Sequence, residues 1–111
     1  MTRPTEPGPR TLFAGPIAID RLARIVSVSD REVRLTATEY KLLLTLVERQ
    51  GHARSRAQLL RDVWNTRAKI QTRTVDMHVQ RLRSKLGSAS MLIETVRGFG
   101  YRFRMEAPQL G

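Results

Sequence analysis

The stretch Thr72-Arg-Thr-Val-Asp-Met-His-Val-Gln-Arg-Leu-Arg-Ser-Lys-Leu-Gly87 decides how this chain of 111 residues folds. Thr72 is a suitable N-cap, and Gly87 stands where a helix end favours glycine. A helix with one buried stripe is predicted between them, because the apolar residues recur at spacings of four, three and four. These residues are Val75, Val79, Leu82 and Leu86.

The other faces of this predicted helix are polar and mostly basic. At 100° per residue, the positions opposite the stripe are Arg73, Met77, Gln80, Arg81 and Ser84, and those flanking it are Thr74, His78, Lys85, Asp76 and Arg83. Such a helix fits the major groove of DNA, which is about 12 Å wide. A basic outer face is equally typical of an ordinary surface helix, so the rest of the chain has to decide.

The net charge of +10 is concentrated in the half of the chain that contains this helix. Residues 54–104 hold twelve Lys and Arg against three Asp and Glu. This excess favours a polyanionic partner, and a membrane surface is the weaker candidate because the helix offers no bulky aromatic residue. The chain has no cysteine, which excludes disulfides and thiolate metal sites, and the cytoplasm is its expected location.

The residues before this helix predict a small mixed domain. Residues 1–10 are rich in proline and are interpreted as a linker or arm, and residues 11–35 predict about four short antiparallel strands. Thr36 and Glu39 form a capping box that opens a central helix ending at Gly51. Ser55 and Gln58 form a second capping box that opens a short helix, followed by a loop over residues 65–71, from Asn65 to Gln71.

The residues after the helix predict a β-hairpin. One strand runs from Met91 over residues 91–96, residues 97–100 form a glycine-rich turn, and residues 101–103 form the second strand. Alternation places Tyr101 and Phe103 on one side, with Arg102 and Arg104 on the other. Residues 105–111 are interpreted as a tail.

Four stretches of the sequence closely resemble the OmpR/PhoB family of DNA-binding effector domains, which form the C-terminal part of bacterial two-component response regulators. They are LTATEYKLL at residues 35–43, SRAQLLRDVW at 55–64, RTVDMHVQRLRSKL at 73–86 and TVRGFGYR at 95–102. The resemblance implies an α+β fold over residues 11–104, a winged helix-turn-helix with an N-terminal antiparallel sheet, three helices and a C-terminal β-hairpin wing.

The resemblance also implies which residues contact DNA. The third helix would enter the major groove, where Thr74, Met77, His78 and Arg81 approach bases or nearby phosphates. Phosphate contacts fall to Arg56, Trp64, Arg73, Arg83 and Tyr101, and the wing carries Thr95 and Arg97. Gln80 stands where the family often has a basic residue, so it contacts phosphate more weakly or contacts a base, and Lys85 completes the predicted DNA-binding set.

The expected function is therefore sequence-specific binding of double-stranded DNA in transcription regulation. The alternatives are a stand-alone winged-helix regulator and an RNA-binding module, although RNA binding favours exposed aromatic residues and these are expected mostly in the core. An enzyme is not expected, because Asp76 and His78 would point about 200° apart on the helix. No cofactor or metal is expected.

Several side chains have a structural interpretation beside the functional one. His78 lies at the edge of the apolar stripe, and Trp64 is expected to pack in the core with its indole N–H at the surface. Tyr101 is expected to bury its ring and keep its hydroxyl free for a phosphate. Asp76 is expected to form a salt bridge within its own helix.

The resemblance further implies partners. Two copies would bind head to tail on direct repeats, from a protein that is monomeric in solution. The loop of residues 65–71 is where the family can contact RNA polymerase, but here it is more basic than usual and lacks the usual aromatic and acidic residues, so an activator role is doubtful. A receiver domain and a sensor kinase are implied, with this chain as an effector domain separated from its receiver.

Overall fold

A computed structural model describes residues 11–64 and 71–104, and it confirms the predicted α+β architecture. An N-terminal antiparallel sheet comes first, followed by three helices and a C-terminal hairpin. The predicted linker of residues 1–10, the tail of residues 105–111 and all of the predicted loop except Gln71 lie outside the described residues.

The N-terminal sheet contains the four predicted strands in sequence order. They are β1 (Thr11–Ala14), β2 (Ile17–Asp20), β3 (Ile25–Val28) and β4 (Arg31–Val33), each antiparallel to the next. The inward side chains of β2 and β3 are buried, as their period of two predicts: Ile17, Ile19, Val26 and Val28. Ser29 and Asp30 form the tight β3–β4 turn with positive φ angles of 49° and 69°, the combination that suits a two-residue hairpin.

The central helix α1 (Ala37–Glu48) begins at the predicted capping box. The Thr36 hydroxyl accepts from the Glu39 N–H at 3.1 Å, and the Glu39 carboxylate accepts from the Thr36 N–H at 2.9 Å. The predicted end at Gly51 is too late, because Arg49 already leaves the helical conformation. Gly51 instead takes a φ of 85° and donates its N–H to the Phe103 carbonyl at 2.9 Å.

A two-residue strand and a short helix follow α1. The second capping box is confirmed at Ser55 and Gln58 and opens α2 (Arg56–Leu59), which continues as one wider π-helical turn (Leu60–Trp64). The strand β5 (Arg54–Ser55) was not predicted, because two residues are too short to show alternation. It pairs with the last strand of the chain and so connects the helices to the wing.

The third helix, α3 (Arg73–Leu86), buries the predicted stripe of Val75, Val79, Leu82 and Leu86. The prediction that the Thr72 side chain caps it is wrong. Thr72 already has helical angles and makes no side-chain cap, since a tight turn leads into the helix and the backbone carbonyls of Gln71 and Thr72 each accept an N–H at 2.9 Å. Gly87 ends the helix as predicted, with a φ of 58°.

The wing follows a 3-10 helix (Gly87–Leu92) and consists of β6 (Ile93–Val96) and β7 (Gly100–Phe103). The strand begins at Ile93 rather than at Met91 because Met91 still belongs to the 3-10 helix. The second sheet has the order β5-β7-β6. Gly100 lies in β7 rather than in the turn, and a Cβ atom there would stand 2.0 Å from the Arg54 carbonyl oxygen.

A single hydrophobic core joins both sheets to the three helices. Its largest fully buried side chains come from β2, β3, all three helices and the wing, and they include Phe103, Leu42, Leu59, Leu82 and Ile93. Most of the aromatic residues lie in or against this core, as expected: Tyr40, Trp64, Tyr101 and Phe103. The exceptions among the described residues are Phe13, which is 54% exposed, and Phe99, which is 45% exposed. Over the two described ranges, no helix is long and apolar enough to cross a membrane.

Candidate nucleic-acid interface

The outward face of α3 is exposed along its whole length, as its periodicity predicts. The positions opposite the buried stripe are all open to solvent: Arg73, Met77, Gln80, Arg81 and Ser84. Two guanidinium groups, an amide, a hydroxyl and a thioether therefore share one surface. Arginine and glutamine are side chains that pair with base edges in the major groove, and arginine also binds phosphate.

The N-terminal half of α3 is packed against the end of the α2 segment. Thr74 and His78 are half-buried, and the His78 Nδ1 lies 2.9 Å from the Thr74 carbonyl oxygen. Because a carbonyl can only accept, Nδ1 carries the proton, and Nε2 can donate to a phosphate only in the imidazolium form. The Trp64 ring meets the His78 ring edge-on at 5.0 Å, and Trp64 is half-buried against the core as predicted.

Asp76 joins α3 to two other elements, which corrects two predictions. Its Oδ1 atom accepts from the Arg56 Nε at 2.7 Å and from the Tyr101 hydroxyl. The salt bridge of Asp76 therefore runs between helices rather than within α3, because Arg56 approaches it from α2. The Tyr101 hydroxyl is not free for a phosphate, since it is already donated to this carboxylate.

These contacts shift the pKa of each group. Burial disfavours the charged Asp76 carboxylate, but the hydrogen bonds from Tyr101 and Arg56 outweigh it and lower the pKa of Asp76. Burial and the hydrogen bond to Asp76 raise the pKa of Tyr101. The hydrogen bond to Asp76 raises the pKa of Arg56 further above its usual range. The three groups are therefore held as a carboxylate, a neutral phenol and a guanidinium.

Arg83 attaches α3 to the first strand of the wing. Its Nε and Nη2 atoms donate to the Ile93 carbonyl at 3.1 and 2.6 Å, and Nη2 also donates to the Thr95 hydroxyl at 3.0 Å. The guanidinium carbon lies 5.6 Å from the centre of the Tyr101 ring, within the range of a cation–π contact. Arg83 was predicted as a phosphate contact, and the structure shows it making several bonds within the protein.

The turn of the wing places an arginine at its tip. Arg97 is exposed, Gly98 follows it with a φ of 73°, and the Phe99 N–H closes the turn on the Val96 carbonyl at 2.9 Å. Thr95 is exposed beside it at the end of β6. A thin tip with one cation has the shape needed to enter a narrow minor groove.

Lys85 was predicted as a DNA contact, and its amino group, like the side chains of Arg56 and Arg83, is engaged within the protein. Its Nζ donates to the Glu39 carboxylate at 2.7 Å, and the Glu39 side chain is almost fully buried. Burial disfavours the charged Glu39 carboxylate, but the bonds from Lys85 and from the Thr36 backbone lower its pKa overall. Lys85 therefore connects α3 to the start of α1.

Sequence reasoning missed the connecting roles of Asp76, Arg83 and Arg54. For Asp76 and Arg83, the only signal in the sequence was the alternation along the last strand, which predicts that the Tyr101 ring points inward. Arg54 pairs with Asp62 across the start of α2. Within residues 11–64 and 71–104, no group of three or more potential ligands could hold a metal ion.

Comparison with known proteins agrees with this geometry. The sequence pattern of the family described as "Transcriptional regulatory protein, C terminal" matches residues 30–103. The chain belongs to this OmpR/PhoB-type family of winged-helix DNA-binding domains. Response regulator ArlR of Staphylococcus aureus (strain Mu50) is 42% identical over 90 residues, which cover 79% of this chain and 41% of that protein.

Solved structures with 30% sequence identity show the same fold. The DNA-binding domain of AdeR, in complex with an intercistronic region, has a TM-score of 0.75 and 30% identity, covering 86% of this chain and 99% of its own. The DNA-binding domain of Klebsiella pneumoniae RstA, in complex with the RstA box, has a TM-score of 0.77 and 30% identity, covering 86% and 97%. The chain thus matches complete effector domains but spans less than half of the full-length regulator ArlR.

Proposed function

We propose that this domain binds double-stranded DNA in a sequence-specific manner, with α3 in the major groove and the wing at the adjacent minor groove. The observation that carries the proposal is the exposed polar face of α3 with an arginine-tipped wing fastened beside it by Arg83. Membership of the family supports it, as do the AdeR and RstA domains, which were solved in complex with DNA.

Within this proposal, the side chains of α3 have different tasks. Arg81 is exposed near the middle of the face and is the proposed contact to a guanine, whose O6 and N7 atoms match a guanidinium fork. Thr74, Met77 and Gln80 lie around it as further base or phosphate contacts. Arg73 begins the helix and is a proposed phosphate contact.

The remaining proposed contacts surround this face. Trp64 and His78 are proposed to contact the phosphate backbone of the DNA through an indole N–H and an imidazole. Arg97 and Thr95 are the proposed contacts of the wing. Arg56 and Arg83 stay proposed phosphate contacts, which would be made in addition to their bonds within the protein. Tyr101 is no longer proposed as one, because its hydroxyl proton is already donated to Asp76. Lys85 is the weakest member of the set because Glu39 already engages it.

The arrangement on DNA and the wider protein follow from the family resemblance. We propose a monomer in solution that binds direct repeats as two copies head to tail, as part of a bacterial cytoplasmic response regulator with a receiver domain and a sensor kinase. Contact with RNA polymerase through residues 65–71 is a weaker part of the proposal, because the sequence of that loop departs from the family pattern.

Selection of bound duplexes from random DNA tests the proposed function. We expect enrichment of a motif with conserved guanines and an A·T-rich flank, and we expect single-stranded RNA to compete poorly with the selected duplex. RNA that competes as well as the duplex would favour the RNA-binding alternative, in which the exposed Phe99 ring would stack on bases. Recovery of no motif would contradict sequence-specific binding.

A further inference from the structure

We propose that Asp76 and Tyr101 are positioning residues that fix the wing on α3 and thereby set where Arg97 meets the DNA. This inference rests on the proposed function. It concerns the two residues that hold α3 and the wing in a fixed relative position, in addition to the side chains that touch DNA.

The Asp76 carboxylate is the point where the three elements of the winged helix-turn-helix meet. Asp76 lies in the first turn of α3, and the same Oδ1 atom accepts from Arg56 of α2 and from Tyr101 of β7. Hydrogen bonds that involve a charged group are shorter and stronger than neutral ones. One side chain of α3 therefore fixes both the preceding helix and the second strand of the wing.

The Tyr101 ring is held as firmly as its hydroxyl. Tyr101 is only 5% exposed, and the guanidinium carbons of Arg56 and Arg83 lie 5.2 and 5.6 Å from its ring centre. Arg83 also holds the Ile93 carbonyl on β6. Each strand of the wing thus has its own attachment to α3, β7 through Tyr101 and β6 through Arg83, so the hairpin cannot tilt about a single contact.

The placement of Arg97 depends on these attachments because it lies in the turn between the same two strands. Tyr101 pairs with Thr95, and Arg97 lies two positions beyond Thr95, which is about 7 Å along the hairpin at about 3.3 Å per residue. A small tilt of the hairpin at Tyr101 becomes a larger displacement at the tip, and a narrow minor groove tolerates little displacement. The negative charge of Asp76 repels DNA phosphates, so Asp76 does not serve as a phosphate contact. Its bonds to α2 and β7 indicate a positioning role instead.

The test compares Tyr101→Phe, Asp76→Asn and Arg97→Ala for binding to the selected site with an A·T-rich flank and with a G·C-rich flank. We expect Tyr101→Phe to lose part of the flank preference that Arg97→Ala removes, because Arg83 still holds β6, while the preferences at positions under α3 remain. The double variant Tyr101→Phe/Arg97→Ala should lose no more than Arg97→Ala alone, because Tyr101 acts through the same contact. Asp76→Asn should lose the flank preference and bind non-specific DNA more tightly, since it removes a negative charge.

Arg102→Ala is the matched control. Arg102 neighbours Tyr101 on β7, but its Nε pairs with Glu94 of β6 at 3.1 Å, a bond within the hairpin itself. It should lower the melting temperature and keep the flank preference.

Two outcomes separate the inference from the proposed function. Uniform weakening by Tyr101→Phe with an unchanged flank ratio would overturn the positioning role. Wild-type protein that binds without any sequence or flank preference would overturn the proposed function as well.

Discussion

Replacement of Gly100 by alanine tests the packing that joins the wing to the helices. A Cβ atom at this position would lie 2.0 Å from the Arg54 carbonyl oxygen and 2.9 Å from the Ser55 Cα atom. Ordinary contact begins near 3.4 Å, so the carbonyl oxygen would have to retreat by about 1.4 Å. The colliding atoms belong to the backbone of β5, and no side-chain rotation can relieve the clash.

The expected magnitude follows from this geometry. Overpacking costs about 1–3 kcal/mol, and we expect about 3 kcal/mol because β5 and β7 have to separate. For a domain of this size, each kcal/mol lowers the melting temperature by about 4–8 °C, so Gly100→Ala should lower it by about 12–24 °C. Thermal unfolding followed by circular dichroism measures this directly.

Gly98→Ala is the control for the general effect of replacing a wing glycine. Gly98 has a φ of 73° but no atom within 4 Å of the added Cβ, so only backbone strain of about 1–2 kcal/mol is expected. If Gly100→Ala unfolds at the same temperature as Gly98→Ala or above it, the close approach of β5 and β7 is refuted.

Three further predictions concern charge and assembly. The partners of Glu39 lower the pKa of its carboxyl group despite burial. The stabilisation by the Glu39 carboxylate is therefore fully present above pH 4.5, the ordinary pKa, and is lost as the pH falls through the lowered pKa of the folded protein. The difference in unfolding free energy between wild type and Glu39→Gln should therefore shrink on acidification, and a difference that is constant between about pH 6 and pH 3 would contradict this. Arg73→Ala should reduce the slope of log affinity against log salt concentration by about one, because it removes one phosphate contact. Lys41→Ala on α1 is the control and should leave this slope unchanged. Equal slopes for Arg73→Ala and wild type would exclude a phosphate contact at Arg73. Light scattering should give a monomer for the domain alone and two copies on direct repeats about 10–10.5 bp apart, and a stable dimer without DNA would contradict the proposed assembly.

Local patterns in the sequence predicted most of the fold. The period of two in residues 11–35 and the two capping boxes gave the four strands and the starts of α1 and α2, because these features depend on neighbours within a few residues. The spacing of Val75, Val79, Leu82 and Leu86 likewise gave the buried side of α3, and thereby its exposed side. The end of α1, the short strand β5 and the lack of a Thr72 cap depend on the fold around them, and these predictions failed or were not made.

The candidate site could be predicted only as a set of exposed side chains. Asp76 and Tyr101 are 25 positions apart, and no pattern in the sequence shows that their side chains meet. The inward alternation of Tyr101 was visible, but the partner of its hydroxyl was not. The close approach of Gly100 to the Arg54 carbonyl could not be predicted either, because Arg54 belongs to a strand of only two residues.

Binding of Arg81→Ala to a library of single-base variants of the selected site tests whether α3 reads the base sequence. Arg81 is exposed on the outward face of α3 and, in the proposed function, pairs with a guanine, a contact worth about 1–3 kcal/mol of discrimination. The variant should lose preference at one position of each half-site and keep its non-specific affinity. If Arg81→Ala weakens every sequence equally and keeps the wild-type base profile, Arg81 does not specify sequence, and the outward face of α3 does not read bases as proposed.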